Sequence, residues 1–330
     1  MQNSHDNSAE NNGTVPEEGL GTPTIEIRNL SRWYGEVLGV NKVSVDIYPG
    51  ITGLVGPNGS GKSTIMNIIC GLLRPGQGSV RVLGSEPGYV RSLRERLGYC
   101  SQVDHFYENF SALQFLRSML ALHSRGKEWT NRTAREALAR VNLTEHQNRR
   151  IRTYSKGMRQ RVKIGLALAH QPEVLVLDEP FNGLDPVGRH EMIELFADYA
   201  RQGRTLLISS HILYEIEQMT DRILMMSNGY VMAEGEVRDV RDLLRAHPFQ
   251  ILVRCEQPRQ LAALMFERDT VTSVELADET SLTFSTRDPD AFYARLTDAI
   301  LQHDIEVDLV TLADENMQSI YKYLAGREHH

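Results

Sequence analysis

The sequence predicts an α/β domain built on a parallel sheet, followed by a smaller α+β domain, and three observations carry that prediction. A short apolar strand, Ile51-Thr52-Gly53-Leu54-Val55, runs into a glycine-rich loop and then into a helical pattern over residues 65–70. Two further strands, Val174–Leu177 and Thr205–Ser210, have uninterrupted apolar centres and stop at polar residues, as strands buried on both faces do. From Phe249 onward the pattern changes to the order β-α-β-β-α-β, which is ferredoxin-like.

Composition sets the outer bounds. The 330 residues are 41% hydrophobic and 24% charged, an ordinary balance for a globular chain. No apolar run approaches the ~18 residues that a membrane span requires, and no secretory signal is expected. Cys70, Cys100 and Cys255 are scattered and odd in number, which argues against a disulfide framework or a zinc site and fits a reducing cytosol. The net charge of −7 divides into −4 over residues 1–23 and −8 over residues 248–330, leaving the middle at +5. A strong polyanion footprint is missing, so no nucleic-acid partner is expected.

In chain order, residues 1–23 are rich in Asn, Ser, Gly and Glu and predict a disordered tail. Residues 24–30 and 43–47 alternate apolar and polar, and read as half-buried strands. Between them Arg32-Trp33-Tyr34-Gly35 reads as a loop whose aromatics belong either to the core or to an adenine base. The loop Gly56-Pro57-Asn58-Gly59-Ser60-Gly61-Lys62-Ser63-Thr64 fits G-x-x-x-x-G-K-[ST] in the strand–loop–helix setting which that motif needs. Its glycines let backbone N–H groups curl around phosphate oxygens, and the helix N-terminus adds partial positive charge. Lys62 would reach the β- and γ-phosphates, and Ser63 would ligate Mg²⁺. The chain is expected to bind a nucleoside triphosphate.

Beyond the loop, residues 78–84 and 97–102 read as strands, the second ending at Gln102. Residues 111–141 are helical in pattern, giving a helical insertion of about 55 residues. A helix then opens at Ser155, a natural N-cap, and Gly157 allows close approach to its backbone. Val174–Leu177 stops at Asp178-Glu179-Pro180, two carboxylates where parallel sheets place their ligands. His211 ends the next strand, and residues 222–226 and 229–233 form a hairpin about Ser227-Asn228-Gly229.

Taken together, residues 24–240 closely resemble the nucleotide-binding subunit of an ABC transporter. Gly56 to Thr64 match its Walker A loop and Gln102 its Q-loop glutamine. Ser155-Lys156-Gly157-Met158-Arg159-Gln160 stands at its signature motif. Asp178 ends its Walker B strand and Glu179 follows as the catalytic glutamate. Gly183-Leu184-Asp185 matches the D-loop, His211 the switch histidine, and Tyr34 the aromatic that stacks on adenine. The resemblance implies a P-loop NTPase core with an antiparallel β-subdomain and an inserted helical subdomain at about 103–160. It implies catalysis by Glu179, His211, Gln102 and Lys62, with Ser63, Gln102 and Asp178 around Mg²⁺. It also implies ATP held between two heads, the second contributing its Ser155 and Gly157.

The signature departs from the commonest L-S-G-G-Q by reading Tyr154-Ser155-Lys156-Gly157-Met158. That form resembles one branch, whose ATPases pair with a separate six-helix permease in export or membrane-assembly roles. The expected assembly is a homo- or heterodimer on the cytoplasmic face of the cell membrane. A soluble ABC ATPase working on a ribosome or another assembly is the alternative, although such relatives usually carry two heads per chain. The coiled-coil chromosome ATPases do not fit, because Lys62 and Ser155 are only 93 residues apart.

The expected boundaries are a tail at 1–23, an ATPase domain at 24–244 and an accessory domain at 245–330. Within the last, residues 249–255, 271–276, 281–285 and 305–310 read as strands and 259–267 and 290–302 as helices. A final helix is expected over residues 315–324, with Met317, Ile320, Tyr321 and Leu324 on one face.

Overall fold

The computed structural model describes residues 21–88, 90–237, 249–266, 271–278, 280–303 and 305–312. The expected helix at 315–324, nearly all of the expected tail and the expected domain boundary at 244 lie outside these residues.

Three sheets organise the described chain. β1 (Ile25–Tyr34), β2 (Val37–Ile47) and β4 (Gln77–Val82) form an antiparallel sheet in the order β2-β1-β4. The central sheet has six strands in the order β5-β6-β7-β3-β8-β9. These are β3 (Gly50–Val55), β5 (Leu97–Cys100), β6 (Val174–Leu177), β7 (Thr205–Ser210), β8 (Arg222–Ser227) and β9 (Tyr230–Glu236). All its neighbours run parallel except β8 and β9, which turn through Asn228 and Gly229, both at positive φ.

Alternation along the central strands assigns each side chain to one of two cores. Leu54, Val174, Val176, Leu207 and Leu224 point to the core shared with the three-stranded sheet and with α1 (Lys62–Ile69). Val55, Leu175, Leu177, Leu206 and Ile208 point to the opposite core. That core contains α3 (Ala112–Leu120), α4 (Lys127–Arg140), α5 (Lys156–Leu168) and α6 (Pro186–Arg201). β6 is buried at every position because both its faces are covered. Among the described residues, no helix is long and apolar enough to cross a membrane.

Several sequence expectations shift. Trp33 and Tyr34 belong to β1 rather than to a loop, because β1 and β2 pair as far as Tyr34 and Val37. β5 stops at Cys100, which leaves Gln102 in the following loop. The helix α6 went unread, although Asp185 caps it and Pro186 occupies its first turn; Met192, Phe196 and Tyr199 recur on its buried face. Two short helices, α2 (Arg91–Arg94) and α7 (Leu213–Glu217), were also unread.

The remaining elements are β10 (Phe249–Cys255), α8 (Pro258–Phe266), β11 (Ser273–Leu276), β12 (Ser281–Thr286), α9 (Pro289–His303) and β13 (Val307–Leu312). Their strands form a separate antiparallel sheet in the order β11-β12-β10-β13. A third core, with Phe284 and Phe292 fully buried, joins that sheet to α8 and α9.

Candidate active site

The glycine loop joins β3 to α1, and its geometry follows from two backbone constraints. Gly61, the residue before α1, has φ of +104°, and a Cβ there would fall 2.5 Å from the carbonyl oxygen of Gly39. The chain therefore turns sharply into a helix whose first residue is Lys62. Its side chain is buried, and Nζ donates to the carbonyl oxygens of Gly56 (2.6 Å) and Pro57 (3.1 Å). Burial lowers the lysine pKa, while the charges of Glu179 and Asp178 work against that shift. Thr64 lies two residues into α1, and its Oγ1 is 3.3 Å from the Tyr34 hydroxyl. The Tyr34 ring is 46% exposed beside this loop, with the Arg32 guanidinium 5.8 Å from its centre.

Opposite the lysine stand the two carboxylates that end β6. Asp178 is buried, and its Oδ1 accepts from the Ser209 hydroxyl at 2.7 Å. The same Ser209 oxygen accepts the Glu179 N–H at 2.8 Å. Glu179 has φ of +50°, a left-handed conformation that costs a non-glycine residue energy and persists only when its surroundings hold it. Ser209 supplies part of that hold and orients both acidic residues. Gln160, buried on α5, also donates to the Glu179 carbonyl oxygen at 3.5 Å.

The strained backbone aims the Glu179 side chain between two basic groups. Its Oε2 is 2.8 Å from His211 Nδ1, and its Oε1 is 3.8 Å from Lys62 Nζ. Oε1 is buried without a hydrogen-bond partner. A buried carboxylate with one oxygen left over is poised to bond something more, and that costs stability until it does. The structure thus brings Lys62, Asp178, Glu179 and His211 into one cluster, with Tyr34 and Thr64 at its rim.

Other residues picked out by the sequence lie apart from that cluster. Gln102 is exposed, and Lys163 Nζ holds its carbonyl oxygen and that of Ser101 at 3.1 Å each. Ser155 caps α5 by accepting from Met158 N–H at 3.2 Å. Gly157 packs against the D-loop, where a Cβ would come 2.7 Å from the Gly183 carbonyl oxygen. The Lys156 stem also covers Gly183, where a Cβ would come 2.6 Å from Lys156 Cγ. Ser209 is not among the residues the sequence picks out, and Gln160 appears there only as part of the signature motif, without its contact to Glu179. The signal for Ser209 was the Ser-Ser end of a buried strand, where each hydroxyl needs a partner.

A family model described as ABC transporter matches residues 40–182. The Nod factor export ATP-binding protein I of Rhizobium johnstonii is 31% identical over 95% of this chain and 98% of its own length. The chain belongs to the ABC transporter ATP-binding family. The bacitracin transport ATP-binding protein BcrA of Enterococcus faecalis is 36% identical over 66% of this chain and 70% of its own length. A solved dimeric bacterial ABC transporter cassette superposes with a TM-score of 0.61 at 26% identity, covering 65% of this chain and 99% of that one. This ABC protein is therefore an ATP-binding, ATP-hydrolysing subunit that powers transport, and its central and three-stranded sheets are those of the ABC-type ATPase fold.

Proposed function

We propose that ATP is bound at the glycine loop and hydrolysed against Glu179, and that the energy drives a separate membrane permease. The observation that carries this reading is the Glu179 carboxylate, held in a left-handed conformation between Lys62 and His211 with one buried oxygen unbonded. Phosphoryl transfer asks the protein chiefly for positioned donors and a group that orients the attacking water. Gly56, Pro57, Asn58, Gly59, Ser60, Gly61, Lys62, Ser63 and Thr64 surround the phosphates, and Tyr34 stacks on the adenine. Glu179 polarises the water, and His211 bonds the γ-phosphate. Ser63 and Asp178 offer hydroxyl and carboxylate oxygens, and Gln102 would add an amide oxygen from its exposed loop outside the cluster; that donor set would fit a hard cation such as Mg²⁺. When bound, that ion neutralises phosphate charge.

Ser155 and Gly157 face the nucleotide of a second head, identical or related. The Tyr154-Ser155-Lys156-Gly157-Met158 signature supports a branch whose partner is a six-helix permease. The full-length similarity to a Nod factor export protein supports export. The subunit then sits at the cytoplasmic face of the cell membrane. Val103, Tyr107 and Phe110, exposed in the loop after Gln102, form the surface on which we place the permease. The unit at 245–330 is a ferredoxin-like accessory domain, a reading supported by its strand order β11-β12-β10-β13.

The test is to purify Glu179→Gln with ATP from gently solubilised membranes and identify what accompanies it. A stoichiometric, multi-spanning partner is expected. Recovery as a self-dimer alone, or with ribosomal proteins, would replace the transporter reading with a soluble mechanochemical ATPase.

A further inference from the structure

The mechanism above makes no use of Glu215, a carboxylate whose side chain is only 6% exposed. Burying such a group is costly unless its oxygens are bonded, and both are. Oε2 accepts from the Ser210 hydroxyl at 2.6 Å, and Oε1 lies 3.2 Å from Arg189 Nη1. Because a carboxylate can only accept, the Ser210 proton points at Glu215 and leaves the hydroxyl oxygen to accept in turn. It does so from the Ile212 N–H, at 3.0 Å. The two residues tied together by that hydroxyl flank His211, whose ring meets Glu179 at 2.8 Å. Helix α7 has five residues and no side-chain cap, so it cannot fix this turn by itself. Arg189 is in the first turn of α6, immediately after the D-loop, and its N–H bonds the carbonyl oxygen of Asp185 at 2.9 Å.

We infer that Glu215 is a positioning residue for ATP hydrolysis. Acting through the Ser210 hydroxyl, it sets the turn that presents His211, and through Arg189 it ties that turn to the helix beginning at the D-loop. This rests on the reading of His211 as a group that meets the γ-phosphate. The arrangement makes the histidine's place depend on where α6 stands. Small displacements of a reacting group cost up to about 100-fold in rate, and that sets the scale of the effect.

The test is steady-state ATP hydrolysis by the full-length protein, with kcat and KM separated and ATP affinity measured directly. Glu215→Ala and Ser210→Ala should each lower kcat about 10- to 100-fold, with KM within about threefold of the parent. The double variant should be no slower than the slower single one, because both changes cut the same connection. Glu215→Gln keeps an oxygen acceptor for Ser210 but not the charge facing Arg189, and should recover the part of the loss that runs through Ser210. Losses that multiply in the double variant, or an unchanged kcat in Ser210→Ala, would overturn the inference. If Glu215→Ala does not fold, as absent ATP binding would show, Ser210→Ala and Glu215→Gln decide alone. His211→Ala separates the two ideas. A parental kcat there sinks the role of His211, whereas a slow His211→Ala beside a fast Ser210→Ala sinks only the role of Glu215.

Discussion

The central six-stranded sheet and the four-stranded sheet at Phe249–Cys255 and beyond both pack apolar faces against helices, but they bury different things. At the ends of β3, β6 and β7 the protein buries Lys62, Asp178, Glu179 and Glu215. Among the described residues the four-stranded unit buries only hydroxyl side chains, Ser281, Ser285 and Thr286, beside its apolar core. Backbone strain divides in the same way. Every described non-glycine residue at positive φ lies before β10, and Glu179 is one of them. Buried charge costs stability, so a fold keeps it where the chemistry requires it, and of those positive-φ residues Glu179 alone adds backbone strain at the site. One region is organised around a reaction and the other around packing.

Substitutions in the two regions should therefore fail in different ways. The largest effect is expected at Glu179. Glu179→Gln preserves the shape and one acceptor oxygen but removes the charge proposed to polarise water, so turnover should fall by about 10³-fold or more while ATP affinity holds. Single-turnover hydrolysis beside equilibrium ATP binding makes the measurement. Retained hydrolysis would count against Glu179 as the base.

The counterpart in the other region is Phe284, fully buried with its ring centre 5.3 Å from that of Phe292. Phe284→Ala should cost about 3–5 kcal/mol of local stability through lost burial and the cavity left behind. Hydrogen exchange over residues 249–312 should accelerate, with ATP affinity unchanged. A loss of ATP binding would show that the two regions are coupled and would end the contrast drawn above.

A smaller effect is expected where packing and chemistry meet. Ser209→Ala removes the acceptor for the Glu179 N–H and the donor to Asp178 in one step. It leaves a buried N–H unpaired, which loosens the left-handed turn, and kcat should drop about tenfold. A kcat equal to that of the parent would mean that Gln160 and the neighbouring chain hold Glu179 unaided.

These residues also mark how far the sequence could be read. The loop from Gly56 to Thr64, the two carboxylates after β6 and the strand β7 were legible, because motif spacing and hydrophobic pattern are local properties. The order of elements from β10 to β13 was legible for the same reason. The pairing of Glu179 with His211 joins positions 32 apart in sequence, and the service of Ser209 to both carboxylates depends on strand neighbours. No local pattern encodes either. The helix α6 is a different case, since its cap, its first-turn proline and its apolar spacing were all present in the sequence. Nor could spacing show that Trp33 and Tyr34 extend a strand, because that depends on how far β2 pairs back.

The smallest effect expected concerns a half-buried histidine. His170 follows α5, and its Nε2–H donates to the Leu97 carbonyl oxygen at 3.1 Å; its ring centre is 4.8 Å from that of His123. Burial, reinforced by the nearby His123 and Arg125, pushes its pKa down to about 4, and the hydrogen bond to Leu97 and the Glu95 carboxylate oppose this only in part. In the unfolded chain the same imidazole titrates near its ordinary value of about 6.5. Between those two values the unfolded state binds the extra proton, so folding stability declines as pH falls from about 6.5 toward about 4 and levels off below. Above about 6.5 both states are neutral and this contribution is constant. His170→Asn should flatten that slope, sparing about 1 kcal/mol near pH 5.5 relative to the trend of the parent protein. Denaturant midpoints of both proteins at pH 5.5 and 7.5 would show it. Parallel pH trends in the two proteins would mean that acid acts elsewhere.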